Sequence, residues 1–327
     1  MLAVTPALLL AVALPGVAAP IDVHDFGAVG DGVTDDGPAI RAALQAAVDA
    51  SQRDDQGKHV VRFRADRVYC VGPWSERWHA LPIIGGRDIA VDGRGAELKI
   101  SRQNMAFTVL NSEAITIRDF IIDYDPLPFT QGEVETVDAE SGTFTWRLEE
   151  GYPAPPQEDI DYDHGCFIEP APSRKYTHRW VYVEAVTPVE GEPGLYTIHP
   201  TEPHRDVVRN SAQPTQRFWF FLNDHVPGEF EARFVYDENR RCESAPAASI
   251  ALRHSPDCVI ENVDHYSSPR MTIRFDACDD LVLRNIRVIR RPGTTRLCAG
   301  NSDAFHGRTR SGPTIENCEF EALGDDS

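Results

Sequence analysis

Three short stretches decide the fold: Cys258-Val259-Ile260-Glu261-Asn262-Val263, Leu281-Val282-Leu283-Arg284-Asn285-Ile286 and Pro313-Thr314-Ile315-Glu316-Asn317-Cys318. Each carries the two-residue apolar period of a strand and ends at a polar corner residue. The same form stands earlier, at Asp88-Ile89-Ala90-Val91-Asp92 and at Ala114-Ile115-Thr116-Ile117-Arg118-Asp119-Phe120. Ile115 follows Ile89 by 26 residues, Asn285 follows Asn262 by 23, and Asn317 follows Asn285 by 32. The last interval reads as one coil plus about nine inserted residues. A period in the low twenties, with a strand in each turn, marks a β-solenoid whose coils bury their inward side chains against their neighbours. Asn262, Asn285 and Asn317 are expected to stack at one corner, each amide bonding to the next coil.

Composition agrees with many short strands. The 327 residues are 42% hydrophobic and 25% charged, which excludes disorder, collagen and coiled coil. With 24 prolines and 23 glycines the chain turns often. Its 51 acidic against 32 basic residues give a net charge of −19, which repels phosphate backbones and anionic lipid, so nucleic acid is not an expected partner. The apolar run Leu8–Leu14 is too short to span a bilayer, and Val17 and Ala19 fit a signal-peptidase site. Residues 1–19 are therefore expected to be a secretory signal, although no Lys or Arg precedes the run, and the protein is expected to be secreted or periplasmic without membrane insertion. Seven cysteines form no C-x-x-C pair, so zinc is not expected and no disulfide is assigned. The acidic run Glu158–Asp163 offers oxygen ligands for Ca²⁺ but reads better as a solvated loop, and no metal or organic cofactor is expected.

After the signal, Asp25–Ile40 is a glycine-rich turn segment running into a helix. Thr34 or Asp35 can cap it, and Ile40, Ala43, Leu44, Ala47 and Val48 form its apolar face. No Lys-Ser/Thr follows the glycines, so a nucleotide cradle is not favoured over a helix covering one end of a β-structure. From about Pro126 to Ser244 the repeat stops. Glu133–Val137 with Thr143–Leu148, and Trp180–Val186 with Gly194–Ile198, read as hairpins of an inserted antiparallel β-domain. Arg217-Phe218-Trp219-Phe220-Phe221 reads as its core strand rather than a sugar platform; Trp74 and Trp78 are the better stacking candidates. The expected division is residues 20–129 for the N-terminal cap and first coils, 130–244 for the insertion and 245–327 for the remaining coils.

Asp325 and Asp326 follow Asp303 by 22 and 23 residues, which matches the coil period. Successive coils lie about 4.8 Å apart, so these carboxylates are expected on one face of adjacent coils. Acids that close couple, holding one protonated while another stays ionised, which suits general acid and general base work on a glycosidic bond with inversion. Spacing alone leaves open that they occupy solvated turns.

Asp25–Ile40 resembles the opening motif of pectin-lyase-like right-handed parallel β-helix proteins. Asn301-Ser302-Asp303 with Gly324-Asp325-Asp326 resembles the N-T-D and D-D motifs of family 28 polygalacturonases. The stretch Asp119–Gly132, together with Asp303-Ala304-Phe305-His306 and Gly324-Asp325-Asp326, is more similar to the family 110 exo-acting α-galactosidases, which are β-helical inverting enzymes with added β-barrel domains. That resemblance implies an all-β, right-handed parallel β-helix, with Asp325 as general acid and Asp303 with Asp326 activating water. His306 and Arg274 are expected to orient a sugar from the same face. The G-H-G and R-I-K motifs of the polygalacturonase pattern would follow the paired acids, where the chain stops at Ser327. A solenoid stopping there exposes an unpaired sheet edge, so a C-terminally truncated fragment is expected. The leading expectation is an inverting glycosidase acting on terminal α-linked galactose, with an oligosaccharide or polysaccharide as its partner. A polygalacturonase comes second, because a polyanionic substrate fits an acidic chain poorly. A polysaccharide lyase and a non-catalytic carbohydrate-binding surface protein remain as further alternatives.

Overall fold

A computed structural model of the chain describes residues 19–53, 57–72, 79–102, 104–156, 160–224 and 248–324. The first part runs β1 (Ile21–Asp22), β2 (Asp31–Asp35), α1 (Gly37–Arg53), β3 (His59–Arg62), β4 (Val68–Val71), β5 (His79–Ile84), β6 (Ile89–Ile100), β7 (Met105–Leu110) and β8 (Thr116–Tyr124). The middle comprises β9 (Phe129–Asp138), β10 (Thr143–Leu148), β11 (Ile160–Ile168), β12 (Tyr176–Pro188), β13 (Leu195–Pro200), α2 (Glu202–Ser211) and β14 (Arg217–Asp224). The last part holds β15 (Ala248–Arg253), β16 (Val259–His265), β17 (Met271–Asp276), β18 (Val282–Val288), β19 (Phe305–Arg308), β20 (Thr314–Glu316) and β21 (Glu319–Phe320).

The five recurring sequence segments are consecutive rungs of one parallel sheet. Ala90 pairs with Thr116, Thr116 with Val259, Val259 with Val282 and Val282 with Thr314. A second parallel sheet, in the order β5-β7-β15-β17-β19, closes the solenoid's other side. Inward side chains such as Ile117, Ile260, Leu283, Phe107, Ile250 and Ile273 form one continuous core with Ile40, Ala43, Leu44, Ala47 and Val48 of α1. At the corner, Asp119, Asn262, Asn285 and Asn317 all have φ between 52° and 60°, the left-handed conformation that asparagine and aspartate tolerate best. Asn285 Nδ2 donates to Asn262 Oδ1 (2.8 Å), and Asn262 Nδ2 donates to Asp119 Oδ1 (2.9 Å). The ladder therefore starts on an aspartate, whose carboxylate can accept but need not donate onward.

Of the two capping candidates, Asp35 rather than Thr34 reaches the helix start. The Thr34 hydroxyl turns back to Asp31 Oδ2 (2.8 Å), while Asp35 Oδ1 accepts from Gly37 N (3.0 Å) and from Gly72 N (2.9 Å). The residue before α1 is the buried Asp36, whose carboxylate binds the amides of Val29 (2.6 Å) and Gly30 (3.1 Å) and so ties the glycine turn to the helix start.

Between β8 and β15 the chain leaves the solenoid and closes an antiparallel barrel in the order β10-β13-β12-β11-β14-β9. The aromatic run in β14 serves two interiors because successive strand residues face opposite sides. Phe218 and Phe220 pack inside the barrel with Phe144, Trp146 and Phe167. Trp219 and Phe221 face outward onto Phe129, Leu297 and Cys298, joining barrel to solenoid. Full burial of one such ring contributes about 2 kcal/mol or more. The strands flanking the barrel are latched to each other, since Tyr124 Oη donates to Ser249 Oγ (2.9 Å) and His265 Nε2 stands 2.6 Å from the same hydroxyl.

None of the described cysteines is in a disulfide; Cys166, Cys258, Cys278 and Cys298 are buried as small apolar side chains. Burial pushes the Cys258 thiol up to about 12. Cys242 and residues 1–18 lie outside the described residues. Among the described residues no helix is long and apolar enough to cross a membrane.

Candidate active site

Asp303 sits at the head of β19, where the chain returns to the solenoid after the excursion that follows β18. Its backbone is fixed by the adjacent rung: Thr272 N donates to Asp303 O and Ile273 N to Ala304 O, both at 2.9 Å. The Asp303 side chain is 13% exposed and its carboxylate accepts from His306 Nδ1–H at 2.7 Å, while the His306 side chain keeps 49% of its surface open. Arg274 is the register partner of His306, and the preceding pair, Ile273 with Phe305, belongs to the core side. Strand alternation therefore puts Arg274 and His306 together on the outward face, about 4.8 Å apart along the solenoid axis.

The segment leading into Asp325 runs one rung beyond this face. Gly300 and Leu323 form a parallel bridge, and Gly324 N donates to Gly300 O (2.9 Å). Asn301, 2% exposed, is held through its Nδ2 on Pro269 O (2.8 Å). Gly324 has no room for a side chain, because a Cβ there would lie 2.0 Å from Asn301 O and 2.9 Å from His164 Nε2. His164 belongs to barrel strand β11, so the barrel reaches this point. Trp180 of β12 reaches it as well, its Nε1–H donating to Gly324 O at 2.6 Å. β12 carries a bulge here: Gly165 pairs with Val181 and Phe167 with His178, so Arg179 and Trp180 together oppose Cys166. Trp180 has a φ of 60°, a strained conformation for an aromatic residue that costs on the order of 1–3 kcal/mol.

A charged clamp delivers the excursion. Asp123, buried at the end of β8, accepts from Arg296 through both oxygens (2.9 Å each) and from Arg291 (2.8 Å), which also grips Glu97 (2.8 and 2.9 Å). Burial alone would raise the Asp123 carboxyl, but the hydrogen bonds and charge of Arg296, with further bonds from Ser267 and Arg291, hold it below the usual range. From the barrel side, Gln131 accepts from Leu297 N (2.9 Å) and donates to Thr295 O (3.0 Å), and Arg174 donates to Thr294 O (3.1 Å). The residues inserted between the Asn285 and Asn317 corners are thus pinned from both sides before they hand over to Asn301 and Asp303.

Of the residues singled out in the sequence, Asp303, His306 and Arg274 come together. Asp325, Asp326, Trp74 and Trp78 lie outside the described residues, as does the start of the acidic run, residues 158–159. Sequence reading missed Trp180 and the Asp123 clamp. A signal existed for the clamp, since Asp123 follows the apolar pair Ile121-Ile122 just beyond the expected strand segment Ala114–Phe120, where an ionised group needs a cation. Nothing local marks Trp180, whose partner is 144 residues away.

The fold and site describe a parallel β-solenoid carrying a β-barrel against a face that presents a buried aspartate beside a histidine and an arginine. No family model matches the chain. It is similar to alpha-1,3-galactosidase B of Bacteroides thetaiotaomicron, 23% identical over 98% of this chain and 52% of that protein. It is also similar to alpha-1,3-galactosidase B of Akkermansia muciniphila, 22% identical over 94% of this chain and 38% of that protein. The chain thus spans about half or less of the length of these relatives. Among solved structures, the hyperthermoactive exopolygalacturonase of Thermotoga maritima is 14% identical with a TM-score of 0.39, over 96% of this chain and 55% of its own.

Proposed function

We propose that the protein is an exported, inverting glycoside hydrolase that removes terminal α-linked galactose from glycans. The observation that carries this reading is sequence similarity to two α-1,3-galactosidases along nearly the whole chain, joined to the bond between Asp303 and His306, whose register partner is Arg274. In this reading Asp325 protonates the glycosidic oxygen while Asp303, with Asp326, takes a proton from the attacking water. Inversion requires the acid and base carboxylates to stand roughly 6.5–9.5 Å apart, with the water on the opposite face of the sugar ring. His306 Nδ1–H fixes one oxygen of Asp303 and leaves the other oxygen for water. Arg274, beside His306, supplies donors for sugar hydroxyls. A neutral galactoside also suits a chain of net charge −19 better than a polyanion does.

The test is incubation of the protein with an α-1,3-linked galactosyl disaccharide and, separately, with polygalacturonate. Free galactose from the first and nothing from the second is the expected result. Saturated galacturonate, an unsaturated product, or no product from either would overturn the reading.

A further inference from the structure

The corner that leads out of the second sheet repeats one backbone turn in successive coils. Gly85, Asn111, His254 and Ala277 all take a left-handed φ, between 46° and 70°. Each donates its N–H to the last strand residue of the next coil, reaching the oxygens of Leu110, Arg253, Asp276 and Arg308 at 2.8–3.0 Å. These stacked corners form a rigid trough along the solenoid axis. A cavity of about 580 Å³ is lined there by His254, Asp276, Asp279, Arg308 and Arg310 among others. A second, of about 360 Å³, continues it past Asn111, Arg87 and Glu113 and shares His254 and Pro256 with the first. The larger cavity adjoins the candidate active site. Arg274 pairs in register with His306, and Asp276 pairs with Arg308 two residues further along the same strands. Strand alternation keeps both pairs on one face, roughly 7 Å apart.

Two other arginines of the trough are already paired, Arg87 with Glu113 at 3.3 Å and Arg310 with Asp279 at 2.6 Å. Arg308 is exposed at the larger cavity, and among the described residues its guanidinium has no hydrogen-bond or ion-pair partner. It therefore presents a planar fork of donors to whatever enters. Arg308 and Arg310 balance Asp276 and Asp279 in charge, so the lining of this cavity suits hydroxyl groups better than an anion. We propose that the trough is a subsite for the neutral sugar residues beyond the bond that is cut, with Arg308 donating to their hydroxyls. The protein then reads the glycan beneath the terminal galactose as well as the galactose itself. This inference rests on the glycosidase reading, because it takes the bond to be cut beside Asp303.

The experiment compares the unaltered protein with Arg308→Ala on two substrates. One is a nitrophenyl α-galactoside, which has no sugar beyond the cut bond; the other is an α-1,3-galactosyl trisaccharide, which has two. The ratio of kcat/KM for the trisaccharide to that for the nitrophenyl galactoside is expected to fall about tenfold in the variant, through KM on the trisaccharide. Titration with the galactose-free remainder of the trisaccharide reads the same site without turnover, and the variant is expected to bind it about tenfold more weakly. An unchanged ratio, a loss carried by kcat, or equal binding of the remainder by both proteins would overturn the inference while leaving the glycosidase reading intact. An unaltered protein that hydrolyses neither substrate would overturn that reading and the inference together.

Discussion

His306 Nδ1–H donates to Asp303 Oδ2 at 2.7 Å, across the three residues that carry the chain from the excursion into β19. This bond gives a nearly buried carboxylate one fixed oxygen and one free one. If Asp303 activates water, Asp303→Asn should lower kcat by about 10²–10⁴-fold with the circular-dichroism spectrum unchanged. His306→Gln, which retains a donor but cannot carry a charge, should cost about tenfold, in line with a group that orients rather than reacts. A fully active Asp303→Asn protein would remove Asp303 from the chemistry.

Gly324→Ala tests the close approach of the last described rung to Asn301. A methyl group 2.0 Å from a backbone oxygen cannot be absorbed by a side-chain shift, so the segment must move. The expected result is a destabilisation of about 1–3 kcal/mol and loss of most turnover, measured by urea unfolding and steady-state kinetics. Wild-type values for both would show that this glycine is not required.

Asp123→Asn would leave Arg291 and Arg296 facing a neutral amide in a buried site. Breaking one partner of such a network costs about 3–5 kcal/mol, and chemical denaturation should show a loss of that size. Because the folded Asp123 carboxyl is held below its ordinary value, its contribution is present at neutral pH and disappears as pH falls through the folded pKa. The variant should therefore lose stability less steeply in acid than the unaltered protein does.

His265 gives a second acid-sensitive element in a different pH window. Burial lowers its pKa to about 4 from an ordinary 6.5, so between those values the unfolded chain binds a proton that the folded one refuses. Its contribution is full above pH 6.5 and falls as pH drops towards 4, by about 3 kcal/mol in total. Unfolding free energies measured across this range should show the slope, and His265→Gln should flatten it. An equal slope in both proteins would contradict the assignment.

The solenoid was legible because its information is local. The apolar alternation before Asn262, Asn285 and Asn317 recurs at the coil period, and the rungs pair in the register that the period implies. The barrel hairpins around residues 138–142 and 187–193 were legible for the same reason. The 32-residue interval between Asn285 and Asn317 revealed an insertion but not its purpose, since Asp123, Gln131 and Arg174 grip it from 120–173 residues away. Likewise the aromatic run in β14 read as a core strand, but its division between two interiors depends on what packs outside the barrel. At the start of α1 the sequence marked Asp35, which accepts from the first helical amide, but not Asp36, whose carboxylate is recruited by the glycine turn six and seven residues back.

Stereochemistry tests the proposed function most directly. Proton NMR of the sugar released in the first minutes from an α-1,3-galactosyl disaccharide, before mutarotation, should show β-galactose, and the Asp325→Asn protein should release none. Initial α-galactose would contradict an inverting pair of aspartates, and undiminished release by the variant would contradict Asp325 as the acid.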